Sequence, residues 1–190
     1  MKKTNVAVWV LAIVVIILIV LGIWFGVRSK NQGTAEQTAT TTPTAAAVVV
    51  QDRKSSTVAA IVESLSNGTA FSSYFISTGV AATITGKGPY TVFVPTNTAF
   101  SLLKPGTISN LSAADKKRLV QYHVVVGRAL DVDAVSNGTI QALSKDMLNF
   151  MASPVTGEAR VNNSYVINEY RASNGIVFII NAVLLPPAKN

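Results

Sequence analysis

The apolar pattern divides the chain into three stretches. Residues 6–27 (VAVWVLAIVVIILIVLGIWFGV) carry no charged side chain. A helix of that length rises about 33 Å, enough to cross a hydrocarbon core of about 30 Å. In lipid the segment must be helical, because a helix satisfies its own backbone donors and acceptors. Trp9 and Trp24 lie near its two ends, where indole rings favour the membrane interface. A cleaved signal peptide would carry a shorter apolar region, about 7–15 residues, and a small-x-small cleavage site. Here the run ends in Trp24, Phe25, Gly26, Val27 and Arg28. The pattern predicts a retained transmembrane anchor. Residues 31–54 then show no apolar periodicity, and 37–47 (QTATTTPTAAA) are rich in Thr and Ala. This stretch is expected to be a linker; about 24 residues of coil span roughly 25–30 Å.

From Ser55 onward the spacing becomes that of a folded domain. Val58, Ile61, Val62 and Leu65 fall on one face of a helix. Ser55 and Ser56 are its candidate caps, and Asn67-Gly68 its stop. Phe71, Tyr74 and Phe75 predict a second helix closed by Gly79, followed by a short turn over 80–84. Residues 90–94 (YTVFV) read as a buried strand ended by Pro95, with Thr96 capping a helix through Leu103. Ser112 and Asp115 have capping-box spacing and open a helix through about Gln121, followed by a strand over 123–126. The rest reads as short strands over 139–143, 147–152, 160–161, 165–172, 176–180 and 183–185. Asn174-Gly175 is expected to form a type I′ hairpin turn. Residues 176–180 (IVFII) are apolar on both faces, which predicts a central strand. Helices first and strands afterwards argue for an α+β fold. The expected organisation is a short tail at 1–5, the anchor at 6–27, the linker at 28–54 and one domain at 55–190.

Charge refines this picture without redirecting it. The formal net charge is +7. Six basic and two acidic side chains precede Ser55; ten basic and seven acidic side chains follow. The basicity is therefore largely a property of the membrane flanks, which speaks against nucleic acid as a partner. Lys2 and Lys3 balance Arg28 and Lys30 across the span, so the positive-inside rule alone does not orient it. A very short N-terminal tail and a large C-terminal domain suit an anchor with the tail in the cytoplasm. With no cysteine, a packed core rather than disulfides must hold the domain, and a lipid-modified cysteine is excluded.

Three segments, in order, resemble the fasciclin-like adhesion family. Residues 90–100 (YTVFVPTNTAF) resemble its first signature. Tyr122-His123 with Val124–Val126 resemble its central Tyr-His segment, and 173–186 (SNGIVFIINAVLLP) its second signature. The resemblance implies a compact β-wedge of short, mostly antiparallel strands with a group of helices beside it. It also implies an extracellular or periplasmic adhesion module without catalytic activity, whose partners are surface or matrix proteins or polysaccharides. It points to Tyr122, His123, Val124 and Val125 as partner-binding residues. The second signature usually carries a histidine and an aspartate where this chain has Phe178 and Asn181. Any role of that histidine is therefore not carried over.

The residues offer little to catalysis. His123 is the only histidine, and no His-x-x-x-His, Gly-x-Ser-x-Gly or Walker spacing occurs. A lone histidine at a helix-to-strand junction reads first as a structural residue. Asp131 and Asp133 lack the third carboxylate and loop glycine of a calcium site. No catalytic, metal or cofactor residues are assigned, and no cofactor is expected. Lys116-Lys117-Arg118 reads as a solvated helix face or a polyanion contact. Asn67, Asn110, Asn137 and Asn162 head Asn-x-Ser/Thr triplets. The competing functional reading is a binder of a small apolar ligand or a polysaccharide. The oligomeric state is left open.

Overall fold

In chain order, strands and short helices follow from where apolar side chains can be buried. The computed structural model describes residues 48–131, 137–153 and 155–188. The expected span at 6–27 and the linker before Val48 lie outside them. Among the described residues no helix is long and apolar enough to cross a membrane.

Val49–Arg53 forms strand β1. Val58–Ser64 forms helix α1, which buries Val58, Ile61 and Val62. Its cap is Thr57, one residue beyond the expected serines, whose hydroxyl accepts from the Ala60 N–H at 3.3 Å. Thr69–Ser77 forms α2, burying Phe71 and Phe75. The chain leaves it through Gly79 at φ 74°, a left-handed conformation that favours glycine. A 3₁₀ turn at Ala81–Ile84 leads to β2, Tyr90–Pro95, buried throughout. Thr96 caps α3, Asn97–Ser101, and Ser112 caps α4, Ala113–Tyr122. The strands that follow are β3 (Val124–Val126), β4 (Gly138–Gln141), β5 (Met147–Ser153), β6 (Glu158–Val161), β7 (Ser164–Ala172) and β8 (Gly175–Ile180).

The strand order is β3-β2-β8-β7-β6-β5-β4, with β1 also paired to β7. Only β2–β8 and β1–β7 are parallel. β7 carries a register shift between Val166 and Asn168. Its first residues pair with β6 and its later ones with β8 and β1, so the sheet bends there. The bend produces two apolar layers. Phe93, Ile176, Phe178 and Ile180 pack with Leu148, Phe150 and Val161 inside the wedge. Val92, Val94, Val177 and Ile179 face the other way, onto Val58, Ile61, Phe71 and Phe75 of the helices. β8 is therefore buried on both faces, as its apolar run predicts.

Three expectations are corrected. Residues 49–53, expected within the linker, add instead as a parallel strand along β7; Val49 and Val50 suit an extended chain. The loop between β7 and β8 is not an Asn174-Gly175 type I′ turn. Ala172 pairs with Gly175, leaving Ser173 and Asn174 as the loop, neither with positive φ. Residues 183–185 form no strand; the Leu184 N–H bonds to a side chain instead of a ladder.

Candidate functional site

The Tyr-His segment sits where the end of α4 becomes β3, between the helices and the wedge. Tyr122 is 3% exposed, His123 0%, Val124 0% and Val125 1%. The side chains of all four expected contact residues are therefore buried in this fold. The reason is topological. β3 pairs with β2 at the end of the sheet, where Tyr122 and Val125 enter one core layer and Val124 the other.

Each of the two polar groups has a full set of partners. The Tyr122 hydroxyl donates to the Met147 carbonyl at 3.0 Å and accepts from Asn162 Nδ2 at 3.0 Å. It ties α4 to β5 and to the turn between β6 and β7. The Leu184 N–H donates to His123 Nε2 at 3.0 Å. Nε2 must then hold a lone pair, so the proton sits on Nδ1, which donates to the Leu119 carbonyl at 2.8 Å. The imidazole also packs against Phe71, ring centres 5.1 Å apart. Burial pushes its pKa down to about 4, opposed only partly by the bond to Leu119. His123 is a neutral clamp joining α4 to the C-terminal segment. The geometry leaves no free ring nitrogen for a metal or a proton transfer.

The surface near this segment begins one residue later. Val126 is 49% exposed, and Gly127, Arg128 and Ala129 are exposed before Leu130 is buried again. Thr91 holds that loop down: its hydroxyl donates to the Arg128 carbonyl at 2.9 Å and accepts from the Leu130 N–H at 3.0 Å. A second surface lies where the two signature segments meet. Thr96, Asn97, Thr98 and Asn181 line an open groove of about 580 Å³ with Asn67, Leu102 and Ile167. Asn181 is partly occupied, since its Oδ1 accepts from the Tyr165 N–H at 2.8 Å.

The remaining singled-out residues have structural explanations. Phe178 stacks on both Phe93 and Phe150, each centre 5.6 Å away, in a three-ring cluster whose other two centres lie 6.2 Å apart, so an aromatic ring fills the signature position. Asp131 pairs with Arg171 at 3.0 Å, as does Glu169 at 2.7 Å; Asp133 lies outside the described residues. No group of three or more potential metal-ligating side chains occurs among the described residues. Of the glycosylation triplets, Asn137 and Asn162 have their amides engaged. Asn137 Oδ1 accepts from the Ala152 N–H at 2.8 Å, and Asn162 Oδ1 from the Asn149 N–H at 2.9 Å. Sequence reasoning missed Asn174 as a structural hub. Its Oδ1 accepts from the Val58 N–H at 2.8 Å and its Nδ2 donates to the Gly86 carbonyl at 2.9 Å. Its sequence signal was read only as a turn.

Comparison with known proteins agrees with this geometry. Protein sll1483 of Synechocystis is 36% identical over 109 residues, covering 55% of this chain and 59% of that protein. The cell surface glycolipoprotein MPB83 of Mycobacterium bovis is 35% identical over 105 residues, covering 54% of this chain and 46% of that protein. The chain thus spans only part of the length of these relatives. Among solved structures, a FAS1 domain pair from the insect cell adhesion molecule fasciclin I superposes with a TM-score of 0.61 at 16% identity. That match covers 70% of this chain and 51% of the other, and it speaks to the fold. The sequence model of the Fasciclin domain matches residues 66–186. With the matched region taking in both signatures, the Tyr-His segment and most of the wedge, the chain belongs to the fasciclin domain family.

Proposed function

We propose that this protein is a membrane-anchored, extracellular or periplasmic adhesion module without catalytic activity. The observation that carries the reading is a fasciclin domain at 66–186 following an uncharged apolar stretch at 6–27. Two of the similar proteins support it by description: MPB83 is a cell surface glycolipoprotein, and fasciclin I is a cell adhesion molecule. In this reading Lys2 and Lys3 stay in the cytoplasm, and the linker holds the domain off the bilayer. Partners are surface or matrix proteins or polysaccharides. Because Tyr122, His123, Val124 and Val125 face the core, the Tyr-His segment acts on a partner through its exposed continuation, Val126 and Arg128.

The test uses cells displaying the full chain. Added protease should release the domain and leave a small membrane fragment, and Val126→Asp with Arg128→Glu should reduce attachment while leaving thermal unfolding unchanged. A mature N-terminus at or beyond residue 28 sinks the anchor. Normal attachment by the double variant removes the loop from the contact. The second reading, polysaccharide binding, draws on the open groove lined by Asn67, Thr98 and Asn181, whose remaining amide and hydroxyl groups suit sugar hydroxyls; the Asn97 amide in the same groove is already held by the Ala70 N–H and the Ser66 carbonyl.

A further inference from the structure

The basic run that the sequence singles out, Lys116-Lys117-Arg118, does not act as one unit. Arg118 turns away and is held by Asp146, Nη2 to Oδ1 at 2.6 Å and Nε to Oδ2 at 3.1 Å. Its side chain is 19% exposed, so most of its charge is spent on that bidentate pair. Lys116 and Lys117 remain, and neither has an ion-pair partner among the described residues. Both line a groove of about 540 Å³ between α2 and α4.

The α2 side of that groove carries three hydroxyl-bearing residues within a largely apolar lining. Tyr74, Ser77 and Thr78, at the end of α2, face the two lysines across the small side chains of Ala113 and Ala114. The Ser77 and Thr78 hydroxyls donate to the Tyr74 carbonyl at 3.3 and 2.7 Å. Each of these oxygens keeps lone pairs that can accept a further hydrogen bond. The Tyr74 ring is fixed by stacking on Phe100, with ring centres 6.0 Å apart. The nearest acidic side chain in sequence, Asp115, accepts from the Ser112 hydroxyl at 2.6 Å within the helix cap.

One wall therefore offers two cations, and the other offers hydroxyl acceptors beside a fixed aromatic ring. A ligand that satisfies both walls carries anionic groups and hydroxyl donors on one scaffold. We propose that this groove binds an acidic polysaccharide, with Lys116 and Lys117 pairing its carboxylates or sulfates while Ser77 and Thr78 accept from its hydroxyls. Nucleic acid fits less well: it lacks the dense hydroxyls, and the groove carries two cations rather than an extended basic stripe. The proposal rests on the reading that the domain faces the outside, and it names the partner class and the surface.

The experiment uses the full chain in detergent micelles. Binding to polygalacturonate is measured by calorimetry, with dextran as a neutral polymer and a DNA duplex of matched charge as a second polyanion. The basic residues of the membrane flank could bind any polyanion, so two double variants with equal charge loss are compared. Lys116→Gln with Lys117→Gln should weaken polygalacturonate binding about tenfold or more, because charge-assisted contacts are lost at the site. Arg28→Gln with Lys30→Gln should change it by less than about twofold, since these two residues are not part of the groove that holds the polymer. Unchanged thermal unfolding of both variants excludes a folding defect. Equal losses in the two variants, or binding to DNA as tight as to polygalacturonate, overturn the proposal. If polygalacturonate binding behaves as expected but displaying cells do not attach to any matrix, the adhesion reading fails and the groove assignment stands. If cells attach but polygalacturonate does not bind, the groove assignment fails alone.

Discussion

Mild acid should destabilise the domain through His123 before its carboxylates contribute. The perturbation is a fall in pH from 7 to 5. Burial holds the folded imidazole at a pKa of about 4, against about 6.5 in an unfolded chain. Between those values the unfolded chain takes up a proton that the folded chain refuses. Stability is then full above about pH 6.5 and is lost as pH falls toward 4. The slope approaches about 1.4 kcal/mol per pH unit, which gives a loss of about 2 kcal/mol at pH 5 and about 3 kcal/mol near pH 4. Against a typical total of about 5–15 kcal/mol, that is a large fraction. Both tryptophans lie in residues 6–27, whereas all five tyrosines lie beyond residue 70, so urea unfolding is followed by tyrosine near-ultraviolet dichroism. His123→Gln serves as the reference. It removes the titrating group, and the difference between the two pH profiles separates His123 from carboxylates that titrate below about pH 5. His123 is also the only histidine, so a single imidazole resonance reports its pKa directly. Parallel pH profiles for the two proteins, or an imidazole in the folded state that titrates near 6.5, would refute the reasoning.

Three further outcomes follow from the packing. Phe178→Ala removes one ring of the mutually packed Phe93–Phe150–Phe178 cluster and should cost about 3–5 kcal/mol by urea unfolding; an unchanged midpoint would mean β8 is not central. Asn174→Ala leaves the Val58 N–H and the Gly86 carbonyl without their buried partner and should cost about 2–4 kcal/mol. In that variant, hydrogen exchange at Val58 should rise well before exchange in β5, and uniform protection would contradict the hub assignment. Tyr122→Phe deletes only the hydroxyl between Met147 and Asn162 and should cost about 1–2 kcal/mol, with attachment of displaying cells unchanged at temperatures where it is folded. Loss of attachment without loss of stability would show that the hydroxyl itself meets the partner.

Much of the architecture is written locally in the chain. The period-3.6 spacing of Val58, Ile61 and Val62, the caps at Thr96 and Ser112, and the apolar runs in β2 and β8 each carry their own instruction. Burial of one helix face or of both strand faces depends on side chains only a few residues apart, so pattern reading finds it. The resemblance carried by three ordered segments is legible in the same way.

What the sequence could not decide is where partners distant along the chain meet. His123 looks alike as a contact or as a clamp until the C-terminal segment places the Leu184 N–H on Nε2. Asn174 reads as a turn residue until its amide bridges Val58 and Gly86, 116 and 88 residues away. The Lys116–Arg118 run reads as one basic patch until Asp146 claims Arg118. Residues 49–53 read as linker until the bend in β7 leaves an edge for them to join. In each case local propensity permits several states, and the choice belongs to hydrogen bonds and charges that only the closed wedge brings together.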